Sequence, residues 1–165
     1  MNIEPFINAG LVIQIHMISA LLALILGIII FWRKKGTASH KLYGKLWVCL
    51  MVIVALSSFF INELRTFGPF SAIHILSVIS LVSLIQAIYT IRKGNIRRHQ
   101  IIMQGLFYGG LVGAGIFTLM PGRILNRIFF GKPEFYLTTQ SNAWIFPTII
   151  AITIGAYIFW RMRRA

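Results

Sequence analysis

Long apolar segments alternate with short polar ones along the whole chain. Five apolar segments approach or exceed the roughly 20 residues with which a helix crosses a bilayer. They lie at about 9–32, 44–63, 70–91, 100–120 and 143–161. No polar segment between them is long enough to fold as a separate soluble domain, so residues 1–165 are predicted to form a single all-α integral membrane domain.

The longest polar segment, residues 121–142, begins with a short amphipathic pattern. Apolar side chains recur at helical spacing against basic and amide side chains, as in a helix that lies in the membrane interface. The apolar positions are Ile124, Leu125, Ile128 and Phe129, and the polar ones are Arg123, Asn126 and Arg127. We therefore expect an interfacial helix within 121–142, between a four-helix core at 9–120 and the fifth transmembrane helix.

The composition supports a membrane location. Hydrophobic residues make up 58% of the chain, charged residues 12%, and the mean hydropathy is +0.81, which is too apolar for a soluble domain of this size. A net charge of +13 would suggest a nucleic-acid partner in a soluble protein. Here the basic residues lie in short clusters between apolar segments, so the expected partner is the lipid bilayer, with no nucleic acid. The single cysteine, Cys49, excludes a disulfide framework and a CxxCH haem attachment site.

The distribution of charge predicts the orientation of the chain. Twelve of the 16 basic residues lie after the first segment, after the third segment or at the C-terminus. All three acidic residues, Glu4, Glu63 and Glu134, fall on the other side. The positive-inside rule then gives an external N-terminus and a cytoplasmic C-terminus in the cytoplasmic (inner) membrane.

The two hairpins of the core are related by a weak tandem repeat. Residues 15–36 align with residues 73–94 at an offset of 58, and one inserted residue then extends the alignment. The matched pairs include His16 with His74, Ser19 with Ser77, Gly36 with Gly94 and His40 with His99. Two hairpins of the same orientation predict a four-helix transmembrane core, to which the fifth helix is added.

All four histidines belong to this repeat, and their depths match in pairs. At 1.5 Å per residue, His16 and His74 lie about 25 Å from the inner boundary, near the outer face. His40 and His99 lie at the inner boundary. Each pair comes from two repeat-related helices, and its imidazoles can converge in the core of the bundle. The structural alternative is a buried histidine that only bridges two helices by hydrogen bonds.

The number of histidines at each depth limits the metal centres that the chain can hold. Zinc, copper and di-iron sites normally need three or four protein ligands, and the inner half contains no carboxylate. A b-type haem needs only two axial ligands from the protein. The pattern therefore favours one or two b-type haems, with His16, His74, His40 and His99 as the metal ligands.

Further residues are predicted to support the cofactors. Cationic side chains beside each histidine pair suit the haem propionates, and serines one turn from the outer histidines suit hydrogen bonds to the imidazoles. The propionate candidates are Lys45 and Arg97, with Lys41 and Arg98, at the inner pair and Arg123 at the outer pair; the serines are Ser19 and Ser77. A stripe of glycines, Gly105, Gly109 and Gly113, could accept a porphyrin or another helix. Trp47, near a segment end, is expected to be an interfacial anchor.

Three stretches carry a resemblance to known families. They read GTASHKLYGKLWVCLM, FSAIHILSVISL and RKGNIRRHQIIMQGLFYGGLVGAGIFTLMPGR. Over about residues 10–125 the chain resembles a bacterial family of small predicted membrane proteins of unknown function, which implies no activity. The arrangement is also similar to the transmembrane b-type cytochromes of the ascorbate-dependent class. That resemblance implies four core helices with His16 and His74 as the outer axial pair and His40 and His99 as the inner pair.

The leading hypothesis is a membrane electron carrier that moves electrons across or within the membrane through one or two b-type haems. A quinol or a partner redox protein would be the donor or acceptor, which makes a transmembrane oxidoreductase possible; no catalytic residue is assigned. The alternative is a cofactor-free accessory or assembly subunit of a larger membrane complex. The assemblies considered for the chain are a homodimer and a membrane complex. A small transporter is less favoured, because the repeat contains no broken helix and no intramembrane carboxylate.

Overall fold

The described chain is helical throughout. The computed structural model describes residues 3–61, 72–119 and 123–130, and no strand occurs in these ranges. The helices are α1 Glu4–Ile7, α2 Leu11–Trp32, α3 Ala38–Ser58, α4 Ala72–Arg92, α5 Ile96–Gly105, a π-helical segment Leu106–Val112, α6 Gly113–Thr118 and α7 Ile124–Phe130. The all-α prediction is confirmed. The predicted fifth helix at 143–161 lies outside the described residues.

Within the described ranges, four helical spans are long and apolar enough to cross a membrane. They are Leu11–Trp32, Ala38–Ser58, His74–Arg92 and Ile96–Thr118. The four-span prediction for the core is confirmed, although the second and fourth spans begin earlier than their apolar segments. Thr37 and Asn95 cap these helices, since the Thr37 hydroxyl accepts from the amide of His40 and the Asn95 side chain accepts from the amide of Arg98. The capped first turns are polar, so hydropathy alone does not detect them.

The two turns that precede these caps share one feature, a glycine with positive φ. Gly36 and Gly94 have positive φ, at 81° and 76°, a conformation that glycine adopts without a Cβ penalty. Each glycine stands directly before the capping residue, so the sequence repeat corresponds to a repeated turn. In the first turn the Lys35 ammonium also donates to the carbonyls of Ile30 and Phe31, at 2.8 and 2.7 Å, and so caps the end of α2.

The chain divides into two compact units. The first, which we call the bundle unit, is Gly10–Phe107, and the second, the terminal unit, combines Met1–Ala9 with Tyr108–Ala165. Within the bundle unit α2 packs on α3, α3 on α4 and α4 on α5. Phe107 closes the ring by packing against Phe31 of α2, with ring centroids 4.8 Å apart. Helices that are consecutive in the sequence are therefore adjacent in space. This arrangement puts α2 diagonally across from α4, and α3 diagonally across from α5.

Trp47 and Gly27 form the centre of the bundle unit. The Trp47 indole is 2% exposed and its Nε1 donates to the carbonyl of Ala23 at 2.9 Å. A Cβ on Gly27 would lie 2.6 Å from Cδ2 of Phe107 and 3.0 Å from Nε1 of Trp47. The expectation that Trp47 anchors the chain at the membrane interface is wrong, because its face of α3 points into the bundle.

In the terminal unit, α1 and α6 pack against α7. The helix predicted after residue 121 is present as Ile124–Phe130, but its polar face is not where the pattern put it. Asn126 is only 3% exposed and donates through Nδ2 to the carbonyl of Leu119 at 2.8 Å, whereas Phe129 is 57% exposed. The expectation of an outward-facing Asn126 is wrong, because its amide satisfies a main-chain carbonyl near the end of α6.

We predict that Gly27→Ala destabilises the protein by about 1–3 kcal/mol, since the added methyl group overpacks the contact with Phe107 and Trp47. Thermal unfolding in detergent measures the effect. Gly105→Ala is the matched control, because a Cβ there meets nothing within 4 Å among the atoms around it. Equal melting temperatures for the two variants would contradict the packing at Gly27.

We also predict that Thr37→Ala and Asn95→Ala each cost about 1 kcal/mol, because each leaves an amide at the start of a span without its cap. Hydrogen exchange at the amides of His40 and Arg98 measures the loss locally. Thr37→Ser retains the hydroxyl and should keep protection near the wild-type level. Unchanged exchange at His40 in Thr37→Ala would show that the cap is not formed.

Candidate functional site

The inner histidine pair occupies the first turns of two diagonal helices. His40 lies in α3 and His99 in α5, directly after the caps of Thr37 and Asn95. His40 is within electrostatic range of both His99 and Lys35. The fold thus brings His40 and His99 to the same end of the bundle unit.

The hydrogen bond of His99 settles which of its ring nitrogens carries the proton when the ring is neutral. Its Nδ1 lies 2.9 Å from the carbonyl oxygen of Ala87 on α4. A carbonyl can only accept, so Nδ1 carries a proton and the neutral ring keeps a lone pair on Nε2. A carbonyl bonded to Nδ1 fixes the orientation and the tautomer of the imidazole, as in many metal-ligating histidines.

His40 differs from its repeat mate in having no such partner. Its Nδ1 is buried and has no hydrogen-bond partner in the part of the chain that the structure describes. The cap of Thr37 engages only the backbone amide of His40. A buried ring nitrogen without a partner is energetically unfavourable, and a ligand or a hydrogen-bonding group would relieve that cost.

The outer histidine of α2 is bonded to the far end of α3. Nδ1 of His16 lies 3.0 Å from both the Val54 carbonyl and the Ser57 hydroxyl. The Ser57 hydroxyl hydrogen is directed to main-chain carbonyls of its own helix, those of Ile53 and Val54, so its oxygen accepts from His16. As in His99, the proton is on Nδ1 and the lone pair of the neutral ring is on Nε2.

The outer histidine of α4 lies against the same end of α3. His74 is 5% exposed, and its ring centroid is 5.8 Å from that of Phe59, with the planes tilted by 51°. One turn later the hydroxyl of Ser77 bonds to that of Ser58, which itself donates to the Ala55 carbonyl at 2.7 Å. Both outer histidines thus contact the last turns of α3.

The predicted supporting residues have varied surroundings. Ser19 is buried in α2, but the imidazole of His16 bonds to α3 instead, and Ser77 is bonded to Ser58. Lys45 and Arg97 are exposed. Arg123 belongs to the terminal unit, where its guanidinium lies over the Phe117 ring at 4.9 Å. The roles of these residues toward a cofactor stay predictions.

Sequence reasoning did not find the polar partners on α3. Ser57 and Ser58 stand at the end of an apolar segment opposite the outer histidines, and that pair of hydroxyls was a usable signal. The carbonyls of Val54 and Ala87 carry no sequence signal, because every residue has one. Which carbonyl is used depends on how the helices pack.

The glycine stripe of the fourth span is open where the structure describes its surroundings. A Cβ on Gly105 or Gly109 would meet nothing within 4 Å, and one on Gly113 would make only ordinary contact with the Tyr108 carbonyl. Among the described glycines of the bundle unit, Gly27 is the tightly packed one. Occupation of the stripe by a porphyrin or a helix stays a prediction.

The donor set of the site limits its chemistry. Among the described residues no group of three or more His, Cys, Asp or Glu side chains could hold a metal ion. Two imidazoles at each end match a group that brings its own equatorial ligands and takes axial nitrogens from the protein. The lone pairs on Nε2 of His16 and His99 and the unpartnered Nδ1 of His40 fit that requirement.

Comparisons with known proteins place the chain in a family. Searches of curated proteins and of solved structures each found no match. The resemblance to the ascorbate-dependent cytochromes therefore gains no support from them. The family model described as predicted membrane protein (DUF2306) matches residues 13–154, which reaches beyond the core into the predicted fifth helix. The chain, whose four apolar spans also indicate an integral membrane protein, thus belongs to the DUF2306 family of predicted membrane proteins.

Proposed function

We propose that the protein is a membrane electron carrier that binds one or two b-type haems through its histidine pairs. The observation that carries the proposal is the inner pair. His40 and His99 stand on diagonal helices, within electrostatic range of each other, and offer nitrogens without a protein partner among the described residues. Diagonal helices face each other across a bundle core, so His40 and His99 would hold a haem between them.

The chain would contribute ligand orientation and charge. The Ala87 carbonyl fixes the His99 ring, and the Val54 carbonyl fixes the His16 ring, each through Nδ1. This arrangement leaves Nε2 as the ligating nitrogen and strengthens it as a donor. A bound haem would supply one-electron chemistry between ferric and ferrous iron, with a potential set by its two imidazoles and its burial.

Cations beside the inner pair would neutralise the propionates. Lys45 and Arg97 are exposed there and are free to approach an anionic group. The outer site would use His16 and His74, with Ser19 and Ser77 one turn from the ligands. Between the two depths lie Trp47 and Phe107, which are 2% and 5% exposed.

The charge distribution supports a proposal for the location and orientation of the protein. We propose the cytoplasmic (inner) membrane, with the N-terminus outside and the C-terminus in the cytoplasm, because the basic turns after α2 and α4 obey the positive-inside rule. A quinol or a partner redox protein would exchange electrons with the site. A homodimer or a larger complex would then bring that partner to the membrane domain.

A cofactor-free accessory subunit is the second candidate, and one observation favours it. The outer histidine of α2 is already satisfied by Val54 and Ser57 of α3, and Ser58 bonds to Ser77 of α4. Such bonds hold transmembrane helices together without any ligand. On this view the outer histidines are polar helix contacts.

We predict that His99→Ala and His40→Ala each abolish one low-spin b-type signal in the reduced-minus-oxidised absorption spectrum of the purified protein. Each variant removes one of the two axial nitrogens at the inner end, so the remaining histidine cannot hold a six-coordinate low-spin iron. His16→Ala and His74→Ala should remove the outer signal where two haems are present.

Gln100→Ala is the matched control, because Gln100 is an exposed neighbour of His99 in the same turn. It should leave the spectrum unchanged. A spectrum in His99→Ala that equals the wild-type spectrum in shape and intensity would refute the inner site. A folded wild-type protein without any haem absorption would favour the accessory subunit.

A further inference from the structure

We infer that the inner end of the bundle unit binds the phosphate groups of anionic phospholipids. The site consists of the two turns that join α2 to α3 and α4 to α5, together with the last residue of α4, the first two turns of α3 and the first turn of α5. Its cationic side chains are Lys34, Lys41, Lys45, Arg92, Arg97 and Arg98. The inference does not depend on the proposed function, since it needs no haem.

These two turns lie at the same end of the bundle unit. Phe107, two turns along the helical span from His99, packs against Phe31 near the end of α2. His40 and His99 are within electrostatic range of each other in the first turns of α3 and α5. The basic residues of both turns therefore contribute to one electrostatic surface.

Some cations of these turns are engaged within the protein, and the rest are not. Lys35 donates to three main-chain carbonyls, Arg33 lies over the Tyr43 ring and Lys93 over the Tyr89 ring. The six cations of the proposed site are exposed and have no partner among the described residues. The described part of the bundle unit contains no acidic residue that could balance them.

The helix ends make this surplus charge unfavourable in the free protein. Arg97 and Arg98 lie in the first turn of α5, and Lys41 follows the first turn of α3. A helix N-terminus carries positive partial charge from its free amides, so it favours anions and repels cations. The cationic side chains at these positions are therefore repelled by the helix end. A bound anion makes the net electrostatic interaction favourable, because the amides and the side chains both attract the anion.

The anion expected at this depth is a lipid phosphate. The turns terminate apolar spans, so they stand where the headgroups of the bilayer begin. Trp32, next to Arg33 at the end of α2, is 89% exposed, as suits a tryptophan at the headgroup level. Clusters of four to eight basic residues next to membrane spans bind anionic headgroups, and the six free cations lie in that range.

The test is the thermal stability of the full-length, haem-free protein in two kinds of nanodisc. One contains phosphatidylcholine alone and the other contains phosphatidylglycerol in addition. We expect the wild-type melting temperature to be higher by at least about 4 °C in the anionic nanodiscs, and the increment to disappear at high salt. Equal melting temperatures in the two nanodiscs would overturn the inference.

The double variant Arg97→Gln/Arg98→Gln tests the helix end specifically. In phosphatidylcholine its melting temperature should equal or exceed that of the wild type, because the repulsion at the start of α5 is removed. In phosphatidylglycerol it should gain less than half of the wild-type increment. A gain as large as that of the wild type would show that these arginines do not contact the lipid.

Further variants test whether the increment depends on the charge of these residues and on their position in the bundle unit. Arg97→Lys/Arg98→Lys keeps the charge and should keep most of the increment, whereas Arg127→Gln, in the terminal unit, should keep all of it. Lys41→Gln/Lys45→Gln, on α3, should lose part of the increment. This variant replaces the arginine variant as the test of the site if the arginine variant does not fold. An equal rise for wild type in phosphatidylcholine on addition of inorganic phosphate would identify a site for the free ion and overturn the assignment to lipid.

Discussion

Every polar group within an apolar span must find a partner inside the protein, because the hydrocarbon core of a bilayer offers none. The indole of Trp47 meets this requirement through the Ala23 carbonyl, His16 through Val54 and Ser57, and His99 through Ala87. Each of these bonds joins two different helices. The same contacts that satisfy the polar groups therefore set the helix arrangement and the orientation of the imidazoles.

This constraint also explains why the two ends of the bundle unit differ. At the outer end, hydroxyls and carbonyls of α3 satisfy His16, and a second hydroxyl pair links α3 to α4. At the inner end, His99 is satisfied but Nδ1 of His40 is buried without a partner in the described part of the chain. The inner end also carries exposed cations next to two helix N-termini. At this end, therefore, both a buried imidazole nitrogen and several cationic side chains could bind a ligand.

The four spans of the core could be predicted from sequence, because hydropathy reports directly on them. The repeat also predicted that His40 and His99 would lie at the starts of their helices. The starts of α3 and α5 could not be read from hydropathy, since the caps of Thr37 and Asn95 extend these helices into polar residues. Thr37 and Asn95 are themselves common capping residues, so they were the sequence signal for these two helix starts. Trp47 and Asn126 were misplaced for a different reason: position along a segment does not determine which face of a helix a residue occupies. Only the packing shows that both are buried.

The hydrogen bonds that orient the histidines were beyond sequence reasoning, because main-chain carbonyls accept them. We propose that imidazoles oriented in this way serve as axial ligands. The haem-to-protein ratio of the purified protein, expressed with adequate haem and assayed by pyridine haemochrome, tests this proposal. We expect b-type haem at one or two per chain. A well-folded protein that contains none would contradict it.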